Sequence, residues 1–80
     1  MKHEIVLLTR SNGCPNCQSV KSVFAALGVH PREVDVDHHP TVAAPFLAAA
    51  TSRSLPLLFV DGENVSAGLD CIKEIRKYAN

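Results

Sequence analysis

Cys14 and Cys17 are the residues of this 80-residue chain best placed to do chemistry. They lie in Gly13-Cys14-Pro15-Asn16-Cys17, straight after the apolar run Ile5-Val6-Leu7-Leu8 and straight before a helical pattern. A spacing of three puts both sulfurs on one side of a helix's first turn, within reach of a disulfide. The first sulfur also meets the free backbone N–H groups and the positive end of the helix dipole there, which stabilise a thiolate. Thiols so placed have pKa values of roughly 3.5–7.5. Pro15 suits the first helical position, where its missing N–H costs nothing. Three chemistries fit such a pair: a redox dithiol, half of a zinc site, or two inert buried thiols. The strand-then-helix setting favours the first. A structural zinc wants four ligands, and no second C-x-x-C or spaced His pair accompanies this one. Buried free cysteine that packs as a small hydrophobe is the third reading.

Other reactive side chains are fewer. Lys21 follows Cys17 by one helical turn and reads either as a thiolate-stabilising ammonium or as part of a solvated helix face. Cys71 opens the last helical pattern and reads as a packing thiol or as an auxiliary thiol facing the pair. Asp70 beside it is a favourable charge for a helix N-terminus. His38 and His39 are adjacent, so their side chains diverge, and solvated turn residues are a better reading than metal ligands.

Eighty residues, 46% of them hydrophobic and 20% charged, specify one packed domain over 1–80. Eight basic and eight acidic residues cancel, which speaks against nucleic acid or an anionic membrane as a partner. No apolar run approaches the ~18–20 residues of a membrane span. Met1-Lys2-His3-Glu4 leads into too short an apolar stretch for a signal peptide. With three cysteines, an odd and small number, a reducing, cytoplasmic setting and a monomer are expected.

The elements that must position the pair follow from periodicity. Ile5 to Thr9 is a continuous apolar run, as in a strand covered on both faces. From Pro15, the stripe Val20, Val23, Phe24, Leu27 predicts a helix that stops at Gly28. Glu33-Val34-Asp35-Val36-Asp37 alternates like a strand. Val42, Phe46, Leu47 and Ala50 predict a second helix, capped by Thr41, with Pro45 in its first turn. Leu57 to Val60 is a strand, Asp61-Gly62 a hairpin turn, and Asn64 to Ser66 a short return strand. Leu69, Ile72, Ile75 and Ala79 predict a third helix. The order is βαβαββα: a four-stranded mixed sheet with three helices, crossovers joining the first three strands and a hairpin adding the last.

That order, with Cys14-Pro15-Asn16-Cys17 after strand one and Ser54-Leu55-Pro56 before strand three, resembles the glutaredoxin family of the thioredoxin fold. Lys21, Glu33-Val34-Asp35-Val36-Asp37, Asp61-Gly62 and Ala67-Gly68-Leu69-Asp70 also resemble the family's pattern. The resemblance implies a thiol–disulfide oxidoreductase in which Cys14 is the nucleophile and Cys17 the resolving thiol. It implies a cis bond before Pro56 and a Leu55 backbone that pairs with a bound peptide or glutathione. Pro15 and Asn16 would line that site, and Gly68 and Asp70 would hold the γ-glutamyl end of glutathione. Glutathione enters as a co-substrate, with no tightly bound cofactor, and protein disulfides are the implied partners. Asn16 replaces the family's usual aromatic, Ser11 its basic residue and Ala67 its first glycine; weak use of glutathione is therefore expected. A short chain with a non-aromatic C-x-x-C also resembles the glutaredoxin-like redoxins that thioredoxin reductase recycles and that reduce ribonucleotide reductase. The competing function class is a module that holds a metal or an iron–sulfur cluster through the same cysteines, which alone are too few for a cluster.

Overall fold

The computed structural model describes residues 3–78. Its organising strand is β1 (Ile5–Thr9), every residue of which is buried. It is central because its side chains serve two cores. Ile5 and Leu7 point to one face of the sheet, with Leu58 and Val60 of β3 (Leu57–Val60). Val6 and Leu8 point to the other, with Leu57 and Phe59. A strand covered on both faces has no polar side to alternate with, which explains the unbroken apolar run.

Strand order is β2-β1-β3-β4, with β2 (Arg32–Asp35) and β4 (Glu63–Ala67) at the edges. β1 runs parallel to β2 and antiparallel to β3, and β3 antiparallel to β4. On the first face, α1 (Pro15–Ala26) and α3 (Asp70–Glu74, continued by a 3₁₀ turn over Ile75–Lys77) supply Val20, Phe24, Cys71 and Ile75. On the second face, α2 (Pro40–Ala49) supplies Ala43 and Phe46. Among the described residues no helix is long and apolar enough to cross a membrane.

Several expected boundaries shift, each for a local reason. β2 stops at Asp35, not Asp37, because the Asp35 carboxylate accepts the backbone N–H groups of Asp37 and His38 at 2.9 and 3.0 Å and turns the chain. α2 begins at Pro40 with His39 as its N-cap, so Thr41 is no cap and Pro45 lies in the second turn. Two prolines five apart compete for the first turn, and Pro40 takes it. Pro45 withholds an N–H from the Thr41 carbonyl, but both residues are exposed, so water can serve that carbonyl. Leu27 caps α1 and is 40% exposed, while Cys17 joins Val20 and Phe24 on the buried stripe. In α3 and the 3₁₀ turn after it, Ile72 and Ile75 face the core as expected, with Cys71 buried beside them, while Leu69 is exposed. Ala79 lies outside the described residues.

One edge detail positions the site. β4 carries a bulge opposite Leu58 and Phe59. There the Asn64 amide donates to the carbonyls of Leu58 and Ser66, both at 3.0 Å. Its oxygen accepts from the N–H and hydroxyl of Thr51 at 2.9 and 3.1 Å. One side chain thus ties the α2–β3 loop to the sheet.

Candidate active site

Cys14 is the N-cap of α1, and its Sγ accepts the Cys17 N–H at 3.2 Å. The two cysteines form a disulfide with their Cα atoms 5.3 Å apart. Gly13, at φ +73°, supplies the left-handed turn that delivers the chain from the β1–α1 loop into the helix. Pro15 occupies the first helical position. The two sulfurs are not equivalent: Cys14 is partly exposed, whereas Cys17, on the buried stripe of α1, has no exposed surface.

The loop before Cys14 is clasped to the turn after β2. Ser11 Oγ donates to Asp35, and Arg10 Nε pairs with Asp37 at 2.9 Å. His38 Nδ1 lies 3.2 Å from the Asp35 carboxylate. The Ser11 hydroxyl, with the Asp37 and His38 contacts behind it, holds the Asp35 carboxyl well below its ordinary value of 3.8. A carboxylate whose folded pKa is depressed adds stability that is complete above its unfolded pKa and lost as pH falls toward the folded one. We therefore expect the urea midpoint to fall between about pH 5 and about pH 3, and to fall less steeply in Asp35→Asn. Equal slopes in the two proteins would show that the clasp does not titrate.

Leu55–Pro56 is a cis peptide bond. Leu55 lines a groove of about 310 Å³ with Arg10, Gly13, Cys14, Pro15, Asn16 and Arg53. The cis-proline loop and the dithiol helix, separate in sequence, therefore meet.

Residues 5–65 match the family model described as Glutaredoxin. The chain belongs to the glutaredoxin family. Glutaredoxins are thiol–disulfide oxidoreductases, a chemistry consistent with this cysteine pair. Glutaredoxin-C10 of Arabidopsis thaliana is 26% identical over 61 residues, which are 76% of this chain and 37% of that protein. The chain thus spans little more than a third of the length of that curated relative. Among solved structures, Escherichia coli NrdH-redoxin is described as a glutaredoxin-like protein with a thioredoxin-like activity profile. It is 26% identical at a TM-score of 0.69, over 89% of this chain and 92% of its own. The mature form of Trypanosoma brucei 1CGrx1 shares the fold at a TM-score of 0.73 and 24% identity, over 95% of this chain and 56% of its own.

The remaining positions drawn from the glutaredoxin pattern fall in three places. Gly68 is buried at φ +60°, and its N–H is already donated to the Pro56 carbonyl at 2.8 Å. Asp70 is exposed at the start of α3. Lys21 lies away from the glutaredoxin groove: its ammonium pairs with Glu33 at 3.2 Å and lines a separate cleft with Phe24 and Pro31. That placement corrects the thiolate-stabilising reading, because a β2 carboxylate already holds the ammonium. Cys71 is corrected as well. It has no exposed surface, its Sγ lies 3.4 Å from Ser66 Oγ and 3.6 Å from the Pro56 carbonyl, and burial pushes its thiol pKa up. A protonated, enclosed thiol is a packing residue that props the cis-proline loop, not an auxiliary nucleophile. Among the described residues no three His, Cys, Asp or Glu side chains cluster as metal ligands. Arg10 and Arg53 are the groove residues that spacing did not single out; each belongs to a polar loop whose partner loop is distant in sequence.

Proposed function

We propose that this protein is a dithiol electron carrier that reduces protein disulfides, with Cys14 as nucleophile and Cys17 as resolving thiol. The observation that carries the reading is the asymmetry of the pair, a reachable sulfur at the mouth of α1 joined to one that is enclosed. In the reduced protein the Cys14 thiolate attacks one sulfur of a client disulfide. A mixed disulfide forms and the client's other sulfur leaves as a thiolate. Cys17 then gives up its proton to solvent and attacks Cys14 Sγ. The Cys14–Cys17 disulfide forms, the second client thiolate leaves, and two electrons have passed to the client. Leu55 offers its backbone to the client's backbone beside cis-Pro56, and Pro15 and Asn16 border the entrance.

Thioredoxin reductase is the electron donor in this reading, in preference to glutathione, and ribonucleotide reductase is the first client to test. Three features support it. The E. coli redoxin that the chain resembles is described by a thioredoxin-like activity profile. The Ser11 hydroxyl is taken up by Asp35, and the Gly68 N–H by Pro56. Asp70 is then the polar group left at that end for the γ-glutamyl arm of glutathione. We place this chemistry in the cytoplasm, where such a donor keeps the pair reduced.

Coupled oxidation of NADPH tests the assignment, once with thioredoxin reductase and once with glutathione and glutathione reductase. We expect the first to be faster by about tenfold or more, a difference of roughly 1.4 kcal/mol in barrier. A glutathione rate equal or higher overturns the donor. Failure of both donors, together with chelator-resistant stoichiometric metal in anaerobically purified protein, overturns the dithiol reading.

A further inference from the structure

The groove beside Cys14 has a larger neighbour. A cleft of about 630 Å³ lies along the C-terminal end of α2, and the two spaces share Arg10, Arg53 and Leu55 as walls. The cleft adds Val36 and Leu47, the latter 46% exposed. Every charged residue lining either space is an arginine. The chain as a whole is balanced at eight acidic and eight basic residues, and of the two arginines here Arg10 already has Asp37 as its partner, so among the described residues the unpaired positive charge here is that of Arg53. Arg53 is exposed and makes no ion pair among the described residues. Arg10 is held by Asp37, with both side chains about half exposed, so a second carboxylate can exchange with Asp37 there. Guanidinium groups match carboxylates in shape as well as charge.

We propose that the groove and the cleft together receive an acidic segment of the client protein: its cysteine at Cys14, an apolar residue over Leu55 and Leu47, and Asp or Glu side chains at Arg10 and Arg53. This rests on the reading of Cys14 as the attacking thiol and adds the class of substrate. Charges so exposed act mainly on the rate of encounter and on its salt dependence.

Single-turnover kinetics read this directly. The prereduced protein is mixed with mixed disulfides of thionitrobenzoate and short peptides that are identical except for Glu, Gln or Lys flanking the cysteine. Attack by the Cys14 thiolate on the peptide sulfur forms the Cys14–peptide disulfide and releases the coloured thionitrobenzoate anion. The Glu peptide is expected to react about tenfold faster than the Gln peptide at low salt, with the ratio shrinking toward one as salt screens the arginines. Arg53→Glu should reverse the order and favour the Lys peptide. Lys73→Gln, an exposed charge of α3 outside both spaces, should leave the ratio unchanged. Equal rates for Glu and Gln peptides overturn the proposal, as does a ratio that survives Arg53→Glu. So does a glutathionyl–thionitrobenzoate disulfide that reacts as fast as the Glu peptide, since the far cleft would then contribute nothing. Absence of chromophore release from every peptide overturns the dithiol reading itself, a result distinct from the others.

Discussion

Cys14→Ser should reduce turnover of a model disulfide to background, a loss on the order of 10³-fold or more. The reasoning is local. The reacting group must be ionised near neutrality, and the N-cap of α1 offers the Cys17 N–H and the helix dipole to whatever atom sits there. A thiol exploits that field; a serine hydroxyl does not ionise in it. Cys71 cannot substitute, because it is enclosed and protonated. Cys17→Ser should behave differently: the first exchange proceeds and the mixed disulfide then persists, because the displacing sulfur is gone. Mass spectrometry of each variant after one exposure to substrate separates the outcomes. Turnover surviving in Cys14→Ser, or a trapped adduct on Cys17, would reverse the assignment of the two sulfurs.

Phe59→Ala should be the most destabilising single truncation on the α2 side of the sheet, at about 3–5 kcal/mol. Phe59 has no exposed surface and meets Phe46 edge-on, with ring centroids 5.1 Å apart at 69°. It therefore fastens α2 to the sheet, and with it one wall of the larger cleft. Domains of this size have total stabilities of roughly 5–15 kcal/mol, so the variant approaches the point of unfolding. Its thermal midpoint should drop by at least about 12 °C. Leu47→Ala, on the same helix but half exposed, should cost less than about 1.5 kcal/mol. A Phe59→Ala midpoint as high as that of Leu47→Ala would mean that α2 is held chiefly by something other than this contact.

How much of this could be read in advance depended on the range of the signal. The dithiol, the β1 run and the Asp61-Gly62 turn are local patterns, and each names its own geometry: Asp61 and Gly62 take φ of +52° and +85°, as the two positions of such a turn require. The glycine after α1 stops the helix where expected, at φ +73°. Non-local features were hidden. A crossover helix joins β2 to β3 whichever way β3 runs, so its antiparallel pairing with β1 had no local mark. Asn64 looks like a turn residue in sequence, and only the bulge shows it tying down Thr51. In the last helical pattern Ile72 and Ile75 face the core as their spacing says, but Leu69 is exposed and Cys71 fills the inward position before Ile75, because the chain enters the helix only at Asp70. Arg10 and Arg53 come together only when two loops fold past Leu55.

The enclosure of Cys17 governs traffic as well as chemistry. In the dithiol-carrier reading, electrons enter and leave through a single atom, Cys14 Sγ, because Cys17 has no exposed surface for a visitor to reach. Donor and client would then use the same doorway in alternation and never be aboard together. Kinetics should follow a ping-pong scheme, with crowding by either party slowing the other. The flow of reducing power then depends on the relative abundance of the two and how briefly each lingers.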